Sequence, residues 1–420
     1  MMRRSLSLVL SLVLLSTVAS SADWVRFRGP DGLGISSETG LPVKWSSGDN
    51  IAWKVDLPGP GASSPVVLGN RVIITSYSGY GLKPSAGDQK NLKRHMQCFD
   101  RRNGKPLWHK TFDPKLPEHK YQGEGAYHGY AACTPISDGK RLYVFFGKSG
   151  LFCFDLDGNQ LWQKSAGNGL NRWGSGCSPI LFGKLVIINA SVESGSIIAF
   201  NKETGSEVWR AKGIRSSWNT PLLVKTTKGT TELVVSIQGR ILAFDPTNGK
   251  ALWNAEGVHR YVCPSVVAHA GVVYVIGGGH TSLAVKAGGK GDVTKSHVVW
   301  RHRKGSNVSS PIYYKGHLYW ASDSGGYICC QDAKTGKTVF QKRLTPRPGR
   351  IWTSPILADG KLYFLSQHNG LYVVAAKPKF ELIAHNQFKD DTSRSNASPA
   401  VSNGQIFLRT DRKLYCIGKK

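Results

Sequence analysis

The chain is long enough for a large hydrophobic core, with 420 residues of which 40% are hydrophobic and 10% aromatic. Beyond the N terminus, no apolar segment reaches the length that a membrane-spanning helix needs, which excludes a membrane-embedded body. The 48 glycines indicate many tight turns and the 12 tryptophans many large side chains that pack between structural elements, as in an all-β repeat protein.

The charge is strongly positive, with 55 lysines and arginines against 27 acidic residues and a formal net charge of +28. Such a charge attracts anionic partners, among them acidic polysaccharides, lipid headgroups and nucleic acids. The simpler alternative is that lysines in strand turns only keep the surface soluble. Lysines of this kind are Lys140, Lys184, Lys250, Lys337 and Lys361.

Residues 1–22 have the features of a secretory signal peptide. Arg3 and Arg4 supply the positive start, residues 6–18 the apolar stretch, and small residues follow at the cleavage site. We therefore expect an exported protein, periplasmic or extracellular. Export argues against a nucleic-acid partner.

Residues 23–50 form a polar lead-in, and we expect Trp24 and Phe27 to pin it across the body of the protein. From residue 64 onwards, a serine or threonine followed by proline and apolar residues recurs. The recurring pairs are Ser64-Pro65, Thr134-Pro135, Ser178-Pro179, Thr220-Pro221, Ser310-Pro311, Ser354-Pro355 and Ser398-Pro399, with Cys263-Pro264-Ser265 as a variant.

Successive prolines of these pairs are 70, 44, 42, 43, 47, 44 and 44 residues apart. A period in the low forties with four strands per unit is typical of a β-propeller, and proline is tolerated at the first residue of a strand. The first interval is long because unit 1 carries two insertions, residues 78–93 and 113–129, which we expect on the same rim. The pattern predicts eight four-stranded antiparallel blades.

The last unit ends after its third strand, whereas residues 51–57 have the pattern of a fourth strand ahead of the first unit. We therefore expect this N-terminal strand to complete the last blade and close the ring, which removes open sheet edges. The predicted organisation is a signal peptide at 1–22, the lead-in at 23–50 and one all-β propeller at 51–420.

A second repeated stretch is AFDPTNGKALW at residues 243–253. It combines a strand end, a turn in which Gly249 is free to take positive φ, and a strand that carries a tryptophan. Related stretches occupy residues 98–108, 153–162, 199–209 and 330–340. The tryptophans of the fourth strands are Trp53, Trp108, Trp162, Trp209, Trp253 and Trp300.

The pattern Asp-x-x-Thr-Gly-x-x-x-Trp with Ser-Pro strands resembles the pyrroloquinoline-quinone-type repeat of the tryptophan-docking propellers. The resemblance covers about residues 53–416, and unit 5 departs from it with a longer turn at residues 283–300. It implies that the fourth-strand tryptophans wedge against the neighbouring blade. Within this family, quinoprotein dehydrogenases use pyrroloquinoline quinone with calcium, BamB-type proteins bind other proteins without catalysis, and extracellular sensor domains use the same ring.

The sequence contains few residues of the kinds that quinone chemistry requires. The resemblance draws attention to the adjacent pair Cys329-Cys330, but neighbours within a strand point to opposite faces. Acidic residues near the upper rim are few: Glu124, Glu193, Asp323, Asp390 and Asp391. We predict no catalytic residues, no metal ligands and no cofactor.

The segments just before the prolines are basic and aromatic, and they converge at the mouth of the central channel. The candidate ligand-binding residues there are Arg172, Trp173, Arg215, Trp218, Arg260, Tyr261, Arg350, Trp352 and Arg394, with His128, Tyr130, Arg303 and Lys304 on the same rim. The guanidinium group of arginine binds carboxylates or phosphates through two parallel N–H donors, and aromatic side chains stack on the planar faces of a ligand. The alternative is that the aromatics fill the mouth and the arginines bond backbone carbonyls.

The sequence thus predicts an exported, non-catalytic and monomeric binding propeller. Its ligand would be a protein or an anionic polymer or carbohydrate. The alternative is an alcohol or sugar dehydrogenase dependent on pyrroloquinoline quinone and calcium.

Overall fold

The computed structural model describes residues 23–84 and 86–419, and the predicted signal peptide lies outside these residues. Eight blades, each built on four antiparallel strands named A to D from the channel outwards, form a propeller, as predicted. The strands are Val66–Leu68, Arg71–Ser78, Lys93–Asp100 and Pro106–Phe112 (blade 1); Ile136–Ser137, Arg141–Phe145, Leu151–Asp155 and Gln160–Lys164 (blade 2); Ile180–Phe182, Leu185–Ala190, Ser196–Asn201 and Glu207–Lys212 (blade 3); Leu222–Lys225, Thr231–Ile237, Arg240–Phe244 and Ala251–Glu256 (blade 4); Val267–His269, Val272–Gly277, Thr281–Lys286 and Val298–His302 (blade 5); Ile312–Tyr314, His317–Ala321, Tyr327–Asp332 and Thr338–Arg343 (blade 6); Ile356–Ala358, Lys361–Leu365, Leu371–Ala375 and Leu382–Asn386 (blade 7); and Ala400–Ser402, Gln405–Arg409, Lys413–Ile417 and Ile51–Asp56 (blade 8).

Helical segments are short in the described part of the chain. They are the α-helical turns Gly125–His128 and Thr294–His297 and the 3-10 turns Gln89–Asn91 and Gly147–Ser149. Within residues 23–84 and 86–419, no helix is long and apolar enough to cross a membrane.

The predicted closure of the ring is confirmed. Strand Ile51–Asp56 pairs antiparallel with Lys413–Ile417, so the N-terminal strand supplies strand D of blade 8. The buried Arg409 joins blades 8 and 1, because its guanidinium donates to Thr75 O at 2.6 Å and to Gly59 O at 3.2 Å.

Neighbouring blades are held together by tryptophan packing. The indole of Trp209 in blade 3 donates to Pro246 O in the C–D turn of blade 4 at 3.2 Å. Its ring lies so close to Gly249, where φ is +72°, that a Cβ there would be 2.5 Å from Trp209 Cε3. The same close approach recurs between Trp53 and Gly104, Trp108 and Gly158, Trp162 and Gly205, and Trp300 and Gly336.

Blade 5 lacks the short C–D turn with its glycine, and a longer C–D connection takes its place. Residues of its long C–D connection form strand Gly291–Asp292, which pairs in parallel with Trp253 and Asn254 as a fifth strand of blade 4. The indole of Trp253 donates to the Glu232 carboxylate of its own blade at 2.7 Å.

The lead-in crosses the channel from one side to the other. Trp24 exchanges two backbone hydrogen bonds with Val67 in blade 1, at 2.9 and 3.0 Å. Further along, Ile35 forms a parallel bridge with Leu357 in blade 7. Between them, the Arg28 guanidinium donates to Pro311 O in blade 6. The lead-in therefore lies across the inner strands at one end of the channel.

Candidate functional site

The serine or threonine before each strand A takes part in a ring of hydrogen bonds around the channel. In each case the backbone N–H of one blade donates to the side-chain hydroxyl of the next blade. The seven bonds run from Ser64 to Thr134, Thr134 to Ser178, Ser178 to Thr220, Thr220 to Ser265, Ser265 to Ser310, Ser310 to Ser354 and Ser354 to Ser398, with N–O distances of 2.8–3.1 Å. These eight residues are called the hydroxyl ring below.

The ring explains the variant in unit 5. There the residue that takes the ring position is Ser265, which follows Pro264 instead of preceding a proline. All eight units have both the proline and the hydroxyl, but in unit 5 the hydroxyl follows the proline instead of preceding it. The recurring Ser or Thr was visible in the sequence, but its hydrogen bonds to the next blade were not predicted.

A cavity of about 170 Å³ lies in the channel at the level of the ring. Phe27 of the lead-in lines it, together with five members of the hydroxyl ring: Thr220, Ser265, Ser310, Ser354 and Ser398. The predicted mouth aromatics that line it are Trp173, Trp218, Tyr261 and Trp352. Glu124, His128 and Asn396 contribute polar groups.

Three of the aromatic residues pack against each other on one side of the mouth. The ring centroids of Trp173 and Tyr261 are 4.4 Å apart with planes at 70°, and those of Trp173 and Trp218 are 5.1 Å apart. The indole of Trp218 donates to Gly174 O at 2.8 Å, which fixes its orientation. The three residues form a rigid aromatic wall that belongs to blades 3 to 5.

The predicted arginines divide into two groups. Arg172, Arg215 and Arg260, next to the aromatic wall, are exposed, and their side chains make no hydrogen bond or ion pair with other described residues. The Arg172 guanidinium lies 5.4 Å from the Trp173 ring centroid, as in a cation–π contact. These three arginines are available to a ligand.

The other two arginines are engaged within the protein. Arg350 lies over the ring of Trp352, 5.6 Å from its centroid, and is 3.7 Å from the Glu124 carboxylate. Arg394 donates to Asp411 at 3.0 Å and to Ala126 O at 3.1 Å. These two residues thus follow the alternative in which mouth arginines serve the protein's own structure.

Both insertions of blade 1 lie on the same rim and pack on each other. Gln89 of the first donates to Glu118 O of the second at 2.9 Å and accepts from Glu118 N at 3.0 Å. The turn Gly125–His128 then reaches across the mouth, where Asn396 of blade 8 donates to Tyr127 O. The sequence indicated the shared rim but not that the second insertion would narrow the mouth.

A cluster of buried ionisable residues lies beside the cavity. Arg94 and Glu118 form an ion pair at 2.6 Å, and both side chains are almost fully buried. Desolvation lowers the pKa of His119 to about 3 and that of His128 to about 4, so both rings are neutral at pH 7. Glu193, expected on the rim, is buried and accepts from Ser175 Oγ, and desolvation raises its pKa to about 7.

The cavity does not fit pyrroloquinoline quinone with calcium. Calcium prefers six to eight oxygen ligands, with several from carboxylates. Glu124 is the one carboxylate among the described residues of the lining, and it pairs with Arg350. The described residues contain no group of three or more His, Cys, Asp or Glu that could hold a metal. Cys329 and Cys330 are free thiols inside strand C of blade 6 and do not line the cavity.

Sequence comparison matches the chain to the family described as outer membrane protein assembly factor BamB, through residues 30–165, 92–342 and 292–420. No curated protein matches the chain significantly in sequence.

Similar solved structures support the fold alone, because their sequences are only 10–14% identical to this chain. BamB from Moraxella catarrhalis is 14% identical, with a TM-score of 0.63 over 88% of this chain and 97% of that one. The computationally designed Ika8 protein is 11% identical, with a TM-score of 0.60 over 86% and 98%. A europium-containing methanol dehydrogenase is 10% identical, with a TM-score of 0.59 over 95% and 98%.

Proposed function

The chain belongs to the family of the outer membrane protein assembly factor BamB, and we propose that it is an exported, non-catalytic propeller that binds an acidic carbohydrate at its channel mouth. The observation that carries the proposal is the combination of the aromatic wall with three free arginines. Trp173, Trp218 and Tyr261 present ring faces on which a sugar ring can stack. Next to them are the guanidinium groups of Arg172, Arg215 and Arg260, which form no hydrogen bond or ion pair with any residue in 23–84 and 86–419.

A protein partner is the second candidate. It is supported by the family description, which names an assembly factor, and by the exposure of the same mouth. An acidic carbohydrate agrees better with the geometry, because the lining combines stacking surfaces with hydroxyl groups and the net charge of the chain is +28.

The experiment compares two variants with equal changes of charge on opposite faces. The first replaces Arg172, Arg215 and Arg260 together by Glu at the mouth. The control replaces three exposed lysines in turns at the far ends of the strands by Glu: Lys140, Lys184 and Lys250. Retention on immobilised polygalacturonate is measured against salt, with a neutral polysaccharide matrix as reference.

We expect the mouth variant to lose retention at near-physiological salt, while the lysine variant keeps most of it. The physical reason is that guanidinium groups beside the aromatic wall act at short range, whereas distant surface charges are screened within about 8 Å at physiological ionic strength. Equal losses in the two variants, or unchanged retention of the mouth variant, would refute the proposal. If the mouth variant instead loses an acidic protein bound by the wild type, the protein candidate replaces the carbohydrate.

A further inference from the structure

The cavity is lined by hydroxyl groups whose donor hydrogens have no acceptor among the residues that the structure describes. Thr220, Ser265, Ser310, Ser354 and Ser398 are 2–5% exposed, and each hydroxyl oxygen accepts one backbone N–H from the preceding blade. Among the described residues, none of these five hydroxyls donates a hydrogen bond. A buried hydroxyl has one donor that needs an acceptor, so the ring favours an acceptor-rich group in the cavity.

Two arginines of the lead-in flank Phe27, which lines the cavity, and their positive charge favours an anion over a neutral acceptor. Arg26 and Arg28, on either side of Phe27 in the lead-in, are 8% and 1% exposed. The Arg28 Nε and Nη1 groups and the Arg26 Nε group have no hydrogen-bond partner among the described residues. Desolvation lowers the pKa of Arg26 to about 10 and that of Arg28 to about 9, so both remain charged at neutral pH. The electrostatic field of these two arginines favours an anion in the cavity, as the hydroxyl donors also do.

The lead-in crosses the channel at one end of the cavity. Phe27 lines the cavity, and the lead-in that carries Phe27 spans the inner strands from blade 1 to blade 7. At the other end, Glu124 and His128 of the second insertion narrow the entrance. A volume of about 170 Å³ accommodates one small ring but not a polymer that continues in both directions.

We infer that the hydroxyl ring is a carboxylate subsite that receives the terminal uronic acid residue of an acidic glycan. The carboxylate accepts hydrogen bonds from ring hydroxyls, while the sugar ring stacks on the aromatic wall above. The protein then recognises chain ends, and the interior of the polymer stays outside at the mouth arginines. This inference rests on the proposed function, because it specifies which part of the ligand enters the cavity.

Two threonines of the hydroxyl ring make a matched test. Thr220 lines the cavity and Thr134 does not, yet each accepts one backbone N–H from the preceding blade, at 3.0 and 2.9 Å. Thr220→Val removes the ring bond and the donor to the cavity. Thr134→Val removes only the ring bond, so it controls for structural effects.

Binding of galacturonate, digalacturonate, galactose and the methyl ester of galacturonate is measured by calorimetry at constant ionic strength. We expect the wild type to bind the two acids and to bind galactose and the ester at least tenfold more weakly. Thr220→Val is expected to weaken galacturonate binding by about tenfold or more, the effect of losing a hydrogen bond to a charged group, and Thr134→Val to leave it within about twofold. Polygalacturonate preparations of different length should compete according to their concentration of chain ends.

Equal effects of the two threonine variants, equal binding of acid and ester, or competition that follows total mass instead of chain ends would overturn the inference. The wild-type comparison of acid with ester remains decisive even if a variant does not fold. If the mouth arginine variant loses polymer retention while Thr220→Val binds galacturonate normally, the subsite is wrong and the proposed function stands. If the wild type binds neither polygalacturonate nor galacturonate, both are wrong.

Discussion

Substitution of Gly249 by Ala should destabilise the propeller by more than the backbone conformation alone explains. Gly249 has φ of +72°, and a Cβ there would lie 2.5 Å from Trp209 Cε3, inside the packed interface of blades 3 and 4. Gly239 in blade 4 is a matched control, because its φ is +81° and nothing lies within 4 Å of a Cβ built on it.

The magnitude follows from two separate costs. A non-glycine residue in the left-handed region costs about 1–2 kcal/mol, and this applies to both variants. Displacing the Trp209 ring adds an overpacking cost of about 1–3 kcal/mol for Gly249→Ala only. We therefore expect a loss of unfolding free energy of about 1–2 kcal/mol for Gly239→Ala and about 2–5 kcal/mol for Gly249→Ala.

Equilibrium urea unfolding, followed by far-UV circular dichroism, measures both variants. A double-mutant cycle with Trp209→Ala isolates the contact, because neighbouring sites in contact are not additive. In the Trp209→Ala background, Gly249→Ala should cost no more than the Gly239→Ala control. Equal costs of the two glycine variants in the wild-type background, or an unchanged cost of Gly249→Ala without Trp209, would refute the docking explanation.

Arg409→Leu should destabilise the junction of blades 8 and 1 by about 3 kcal/mol or more, because it leaves the carbonyls of Thr75 and Gly59 buried without this donor. The exposed Arg412→Leu serves as its control, and an equal effect in urea unfolding would contradict the prediction. Burial raises the pKa of Glu193 from 4.5 to about 7, so between these pH values the native state binds more protons than the unfolded state and this residue makes stability fall as pH rises. The advantage of Glu193→Gln in unfolding free energy over the wild type should therefore grow by up to about 3 kcal/mol between pH 4.5 and 7, and a pH-independent difference would show that the carboxyl is not perturbed.

The number of blades and the closure of the ring could be predicted from the sequence because they depend on repetition. Prolines spaced by about 44 residues mark the start of successive blades, and an unpaired strand at 51–57 matches the missing strand of the last unit. The turn at Gly249 is a local feature, since positive φ is a property of glycine itself. Each of these signals acts over a few residues or repeats at a fixed interval.

Among the mouth residues, the sequence could not separate the available arginines from the engaged ones. Arg215 and Arg394 occupy corresponding segments, but Arg394 is held by Asp411 and Ala126 O. The partner Ala126 belongs to an insertion that begins in blade 1 and ends over blade 8. No local sequence pattern encodes a contact between segments so far apart in the chain, because the insertion occurs once and is not repeated in the other units.

The sequence by itself determined the architecture, in which a short unit is copied eight times and the docking tryptophan and the turn glycine recur at fixed positions in most of the copies. Only the tertiary structure decided what the channel contains. Residues about 44 positions apart, such as Ser310 and Ser354, become neighbours only when successive blades pack side by side. Packing of the blades brings the recurring Ser and Thr residues side by side around the channel, and it buries Glu193, which the sequence had indicated as a rim residue. The physical reason is that burial and hydrogen-bond partners depend on contacts between distant segments, whereas turns and strands depend on neighbouring residues.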